Sequence, residues 1–186
     1  GAEVAIPLSH TIGRIGLLER ENATIMNASL ARLSREVVRS FGAAMRALSL
    51  QAPFYISQND GTLMSADFVE RYPVLTFASG PTNSMRGAAR LGVHETAMVA
   101  DIGGTTTDFG WLAGGFPRES SVSVDVGGVR TNFRMPDIYA LGLGGGSRVV
   151  EQDGDVAIGP GSVGYRLLEE ALVFGGSTLT ATDIAV

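Results

Sequence analysis

Apolar residues recur every three or four positions between residue 21 and about residue 50. Met26, Leu30, Leu33, Val37, Phe41, Ala44 and Leu48 form one stripe, and Arg32, Arg35, Arg39 and Arg46 occupy the other faces. This spacing predicts a helix of roughly eight turns, a spine against which a sheet packs. Residues 53–57 then read as a short buried strand, and Asn59-Asp60-Gly61 as a turn. Ser65 is placed to cap a short helix through Arg71, and Ser79-Gly80-Pro81 opens another that closes at Gly92. The pattern changes to alternation after that. Residues 96–112 predict a hairpin, residues 120–126 and 129–133 a second about Gly127-Gly128, and residues 148–151 and 156–158 a third about Asp153-Gly154. Residues 165–174 predict a last helix, closed by Gly175-Gly176. The chain reads as a mixed α/β domain over residues 1–186, with helices early and antiparallel strands in the middle.

Chemistry concentrates in the first hairpin. An apolar approach (Met98, Val99, Ala100) delivers Asp101, and Gly103-Gly104 permits a sharp turn. Thr105, Thr106 and Thr107 follow, and Asp108 leads into Phe109, Trp111 and Leu112. Such a turn presents backbone N–H groups and hydroxyls that cradle phosphate oxygens, while a flanking carboxylate holds Mg²⁺ or orients a water. The plainer alternative is a hairpin whose Gly-Gly turn has only a structural task. The two flanking Asp and three consecutive Thr favour the phosphate site. Gly144, Gly145 and Gly146, followed by Ser147, imply a close backbone approach to a nucleotide or to another strand. Neither a dinucleotide fingerprint nor a P-loop is present.

Composition narrows the chemistry further. All 14 basic residues are Arg, so a Schiff-base Lys, a Walker Lys and a Ser-Lys dyad are excluded within these 186 residues. Cys is absent, which removes disulfides, thiolate nucleophiles and Cys-ligated zinc. His10 and His94 lie too far apart in sequence for a paired metal motif. A net charge of -5 argues against nucleic acid as a partner. The lack of a long apolar run argues against a membrane span and leads to the expectation of a cytoplasmic protein. The final residues, from Thr180 to Val186, read as a helix cap followed by a cut through structure, and so predict an excised fragment.

Several stretches, in order, resemble the hydantoinase A/5-oxoprolinase family of ATP-dependent amide-ring hydrolases. The run from Asp101 to Asp108 is similar to that family's Asp-x-Gly-Gly-Thr-x-Thr-Asp motif. Asp137-Ile138 and Gly144-Gly145-Gly146-Ser147 are similar to its later Asp-Ile-His-x-x-Gly-x-Gly-Gly-Gly-Ser. Further likenesses are Glu19-Arg20 with Asn27-Ala28, the run from Asn59 to Ser65, and Ser79-Gly80-Pro81 with the run from Gly87 to Gly92. Two departures stand out: Tyr139 occupies the place of the family's His, and the helix-like residues 165–174 replace a Gly/Pro/Cys-rich segment.

The resemblance implies an actin-like (ribonuclease H-like) ATPase lobe, in which each of two lobes carries a mixed five-stranded sheet with flanking helices. It implies ATP with a divalent metal, Mg²⁺ or Mn²⁺, and a small cyclic amide activated by phosphorylation before its ring opens. On this basis Asp101 and Asp108 are the expected catalytic carboxylates. Gly103, Gly104, Thr105, Thr106, Thr107, Gly144, Gly145, Gly146 and Ser147 are the expected nucleotide contacts, and Asp101 and Asp137 the expected metal ligands. The family's second phosphate loop belongs to a missing N-terminal region, which becomes an expected partner along with a hydantoinase B-type subunit. The fragment alone is expected to be inactive. Tyr139 supports an alternative, a divergent actin-like nucleotide-binding module without amide hydrolase activity.

Overall fold

The computed structural model describes residues 6–92, 94–120 and 123–186. In chain order its elements are α1 (Leu18–Ala47), β1 (Tyr55–Ser57), β2 (Leu63–Ser65), α2 (Ala66–Arg71), α3 (Ser79–Leu91), β3 (Ala97–Ile102) and β4 (Thr107–Ala113). These are followed by β5 (Phe116–Pro117), β6 (Val124–Val126), β7 (Val129–Thr131), β8 (Ile138–Leu141), β9 (Ser147–Gln152), β10 (Asp155–Ser162), α4 (Leu167–Glu170) and α5 (Ala181–Ala185). Contacts divide the chain into two compact units. One holds the residues up to Thr96 together with Leu112–Asp137, and the other holds Ala97–Trp111 with Ile138–Val186.

The first unit has the hydrophobic core. Ile12, Ala23, Val74 and Phe133 form one buried cluster, and Val38, Met64 and Val69 form another. Ser65 caps α2 by accepting the Phe68 N–H, as its type and position predict. The predicted turn after β1 is built on Asn59, which is 1% exposed. Its side-chain amide donates to the Val74 and Arg134 carbonyls at 3.2 and 3.1 Å, and its Oδ1 accepts the Ala78 N–H at 2.8 Å. Asp60 completes the turn by accepting the Thr62 N–H.

The spine helix forms, yet it buries a different face from the one its large residues mark. Ala23, Asn27, Ala31, Ser34 and Val38 are buried, while Leu33, Val37, Phe41 and Leu48 remain exposed. The cause is polar as well as steric. Small residues let α1 approach α2 closely, and the polar ones among them bond to it. Asn27 donates to the Arg71 carbonyl at 2.8 Å and accepts from Val74 N–H at 3.3 Å, and Ser34 donates to the Val69 carbonyl at 3.0 Å.

The second unit is glycine-dense and is held largely by backbone hydrogen bonds. The predicted first hairpin is present as β3 and β4, and β8 runs antiparallel to β4 with Thr107 opposite Leu141 and Phe109 opposite Tyr139. The last two residues of β4, Leu112 and Ala113, belong to the first unit and pair there with β5. The resemblance implied a mixed five-stranded sheet; the strand pairs whose register is described are antiparallel. The third predicted hairpin is β9 and β10, turning at Asp153 and Gly154, both with positive φ. The second is the shorter pair β6 and β7, and two of its predicted positions, Ser121 and Val122, lie outside the described residues.

The helix expected over residues 165–174 is broken. A single turn, α4, lies between 3₁₀ segments Gly164–Arg166 and Leu172–Phe174, because Ala171 is extended and bridges to Thr178. Gly175, at φ 90°, closes it. The cap read at Thr180 is a full capping box with Asp183.

Candidate phosphate-binding site

Along β3 the half-buried side chains alternate with exposed ones, and Asp101 falls on the same face as Ala97 and Val99. The chain then turns through residues 103–106, closed by a Gly103 N–H donating to the Thr106 carbonyl at 2.9 Å. Gly104, Thr105 and Thr106 are exposed. Among the described residues, their three backbone N–H groups have no acceptor, and neither do the hydroxyls of Thr105 and Thr106. Successive free N–H groups on an exposed turn form an anion cradle. Thr107 differs from the other two threonines. It is buried, and its hydroxyl donates to the Leu143 carbonyl at 2.6 Å, which ties the start of β4 to the loop after β8.

Asp108 follows on β4, opposite Ala140. Burial holds its carboxyl above the usual carboxylate range, and the negative charge of Asp101 adds to the shift. The two acids therefore share an electrostatic neighbourhood at the base of the turn. Mg²⁺ is bound through one or two carboxylates together with phosphate oxygens and waters, so a carboxylate beside the turn, such as Asp101, suits such an ion. Among the described residues no three His, Asp or Glu converge into a cage of their own. Asp137, the other expected metal ligand, belongs to the first unit and forms an ion pair with Arg118.

The second glycine cluster is placed differently from the turn. Gly144, Gly146 and Ser147 are buried. The Gly144 N–H donates to the Ser147 hydroxyl at 2.9 Å, Gly145 N–H to the Gly103 carbonyl at 3.0 Å, and Gly146 N–H to the Gly104 carbonyl at 2.7 Å. The Ser147 N–H returns to the Gly144 carbonyl at 3.0 Å. All four donors of this loop are engaged within the protein. Behind the hairpin, an apolar cavity of about 480 Å³ is lined by Ile102, Phe109, Leu141, Ile158 and Ile184 among others, and no charged side chain faces it. A cavity lined in this way offers no partner to a phosphate.

One contributor was not visible in the sequence. Thr182, in the first turn of α5, donates both its N–H and its hydroxyl to the Gly145 carbonyl, each at 2.9 Å. The Thr-x-x-Asp capping pattern locates the helix start but says nothing of this neighbour. Tyr139 is exposed on β8, paired in register with Phe109. His10 and His94 are exposed as well.

A solved structure of an ATP-dependent caprolactamase from Pseudomonas jessenii matches with a TM-score of 0.71 at 25% identity, over 94% of this chain and 26% of that one. A nucleotide-free structure of acetone carboxylase, described with the mechanism of ATP-dependent acetone carboxylation, matches with a TM-score of 0.69 at 23% identity, over 90% of this chain and 24% of that one. The chain thus spans about a quarter of the length of each. The family model for hydantoinase/oxoprolinase proteins matches residues 20–186, a span that includes the turn, both acids and the buried glycine loop. The chain belongs to the hydantoinase/oxoprolinase family.

Proposed function

We propose that the turn at residues 103–106 binds phosphate oxygens of ATP, as part of an actin-like lobe of an ATP-dependent enzyme acting on a small cyclic amide. The observation that carries this reading is the set of three N–H groups, at Gly104, Thr105 and Thr106, that have no partner among the described residues and are flanked by Asp101 and Asp108. The family, and the ATP dependence named for the caprolactamase, support the nucleotide. In this reading the turn N–H groups and the Thr105 and Thr106 hydroxyls hold the phosphates in place. Asp101 would hold Mg²⁺ or Mn²⁺, which supplies charge neutralisation at the phosphates when bound. Positioning and electrostatics carry most of a phosphoryl transfer, so a rigid turn with two acids beneath it is sufficient machinery on this side of the nucleotide. Transfer of the terminal phosphoryl group of ATP to the ring amide oxygen releases ADP and makes the ring carbon electrophilic. Water adds there, the C–N bond breaks with the nitrogen taking a proton, and the acyl phosphate left behind is hydrolysed to carboxylate and phosphate. Asp108, with its raised proton affinity, is the carboxylate suited to accept a proton from that water.

The test uses the intact protein that carries this chain. Metal-dependent ATP hydrolysis should rise when a hydantoin or 5-oxoproline is added. Asp108→Ala should lower turnover by about 10²- to 10³-fold while circular dichroism stays unchanged. Calorimetry that detects no nucleotide binding overturns the proposal. Binding without stimulation by any cyclic amide points instead to a nucleotide-binding module, the reading that Tyr139 in place of the family His favours.

A further inference from the structure

Resting on the phosphate reading above, the geometry points to residues 144–147 as a latch that positions the phosphate turn without touching the nucleotide, with Thr182 as the bolt. The two glycine segments meet backbone to backbone. Gly145 and Gly146 donate to the carbonyls of Gly103 and Gly104, the peptide units that immediately precede the free N–H groups of Gly104 and Thr105. Fixing a carbonyl fixes the N–H on the far side of the same planar peptide, so these two bonds aim the turn's donors outward. A nucleotide contact from the loop would need donors that it no longer has.

The glycines are required by proximity. A Cβ on Gly144 would lie 2.6 Å from the Gly103 oxygen, 2.7 Å from the Gly104 carbonyl carbon and 2.7 Å from the Thr105 nitrogen. On Gly146 it would lie 2.9 Å from the Gly104 oxygen, and on Gly145 it would lie 2.8 Å from the Thr182 hydroxyl. Two of the three positions therefore press on the turn itself, and the third presses on the helix that holds the loop. Thr182 closes the chain of contacts through its two bonds to the Gly145 carbonyl. Thr182 is a positioning residue, acting on phosphate through Gly145 and Gly103.

Residue-resolved amide hydrogen exchange on the intact protein, with and without Mg²⁺ and a non-hydrolysable ATP analogue, separates a latch from a ligand. Gly145 and Gly146 should exchange slowly in the free protein and be unchanged by nucleotide, whereas Gly104, Thr105 and Thr106 should exchange fast and slow down on binding. Thr182→Val should raise the KM for ATP by roughly two- to tenfold with a smaller change in kcat, and Thr182→Ser, which keeps the hydroxyl, should restore it. Gly145 and Gly146 amides that are fast in the free protein and protected only by nucleotide would make the loop a ligand. That result ends the latch while leaving the phosphate reading intact. A Thr182→Val protein with an unchanged KM for ATP also ends it. Nucleotide that binds without protecting residues 104–106 removes the phosphate reading, and the purpose of the latch with it.

Discussion

The two glycine-rich segments of the second unit look alike in sequence and have opposite hydrogen-bond states. At residues 103–106 the glycines open an exposed turn whose next N–H groups have no acceptor among the described residues. At residues 144–147 the glycines are a means of close approach, and every N–H is engaged. A glycine run alone therefore does not mark a phosphate site. What distinguishes the two is where the backbone donors end up. The carboxylates sort the same way, since Asp101 and Asp108 flank the turn with unused donors while Asp137 is paired with Arg118.

The contrast can be broken most forcibly at Gly144. Gly144→Ala places a methyl group against three backbone atoms of the turn, which cannot rotate away. A loss of roughly 3 kcal/mol in urea denaturation is expected, as for overpacking of a rigid site, and a stability change near zero would mean the segments are not in contact. A smaller effect is expected at the other tie between the regions. Thr107→Val removes the 2.6 Å hydroxyl bond to Leu143 and leaves its carbonyl unsatisfied by that donor, so about 1 kcal/mol should be lost in the same measurement.

The smallest expected effect has the opposite sign. The folded-state pKa of Asp108 is raised above its ordinary 3.8, so its contribution to stability is complete below that pH and is lost as pH rises through the folded value. At neutral pH the ionised carboxylate is a cost. Asp108→Asn should raise the Tm at pH 7, and the advantage should vanish below pH 3.8. A gap that does not change with pH would contradict the assigned cause. A substitution that stabilises the fold while abolishing turnover is what a residue kept for function produces.

Much of this was legible in the chain itself. The β3–β4 hairpin declared itself through alternation on both sides of Gly103-Gly104, and Ser65 and Gly92 were read correctly as helix ends, because these are local effects acting over three or four residues. The burial of α1 was not legible. Its large residues mark one face, but Asn27 and Ser34 choose another by bonding to carbonyls some 35 to 44 residues away. The hydrogen-bond partners of residues 144–147 escaped for a similar reason. Their acceptors, Gly103 and Gly104, are distant in sequence, and periodicity carries no information about a carbonyl that arrives from another segment. The proximity of a strand was one of the two readings left open for that run, and the backbone of the turn is the partner observed.

The three glycines of the latch also differ in how far mutation can travel from them. Gly145 faces a side chain, so a methyl group there is open to rescue by a second change that trims Thr182. The three atoms nearest a Cβ on Gly144 all belong to peptide backbone, which no substitution elsewhere can shorten. One position belongs to a pair of residues that can drift together, whereas the other is isolated, with no neighbouring genotype through which it could be replaced.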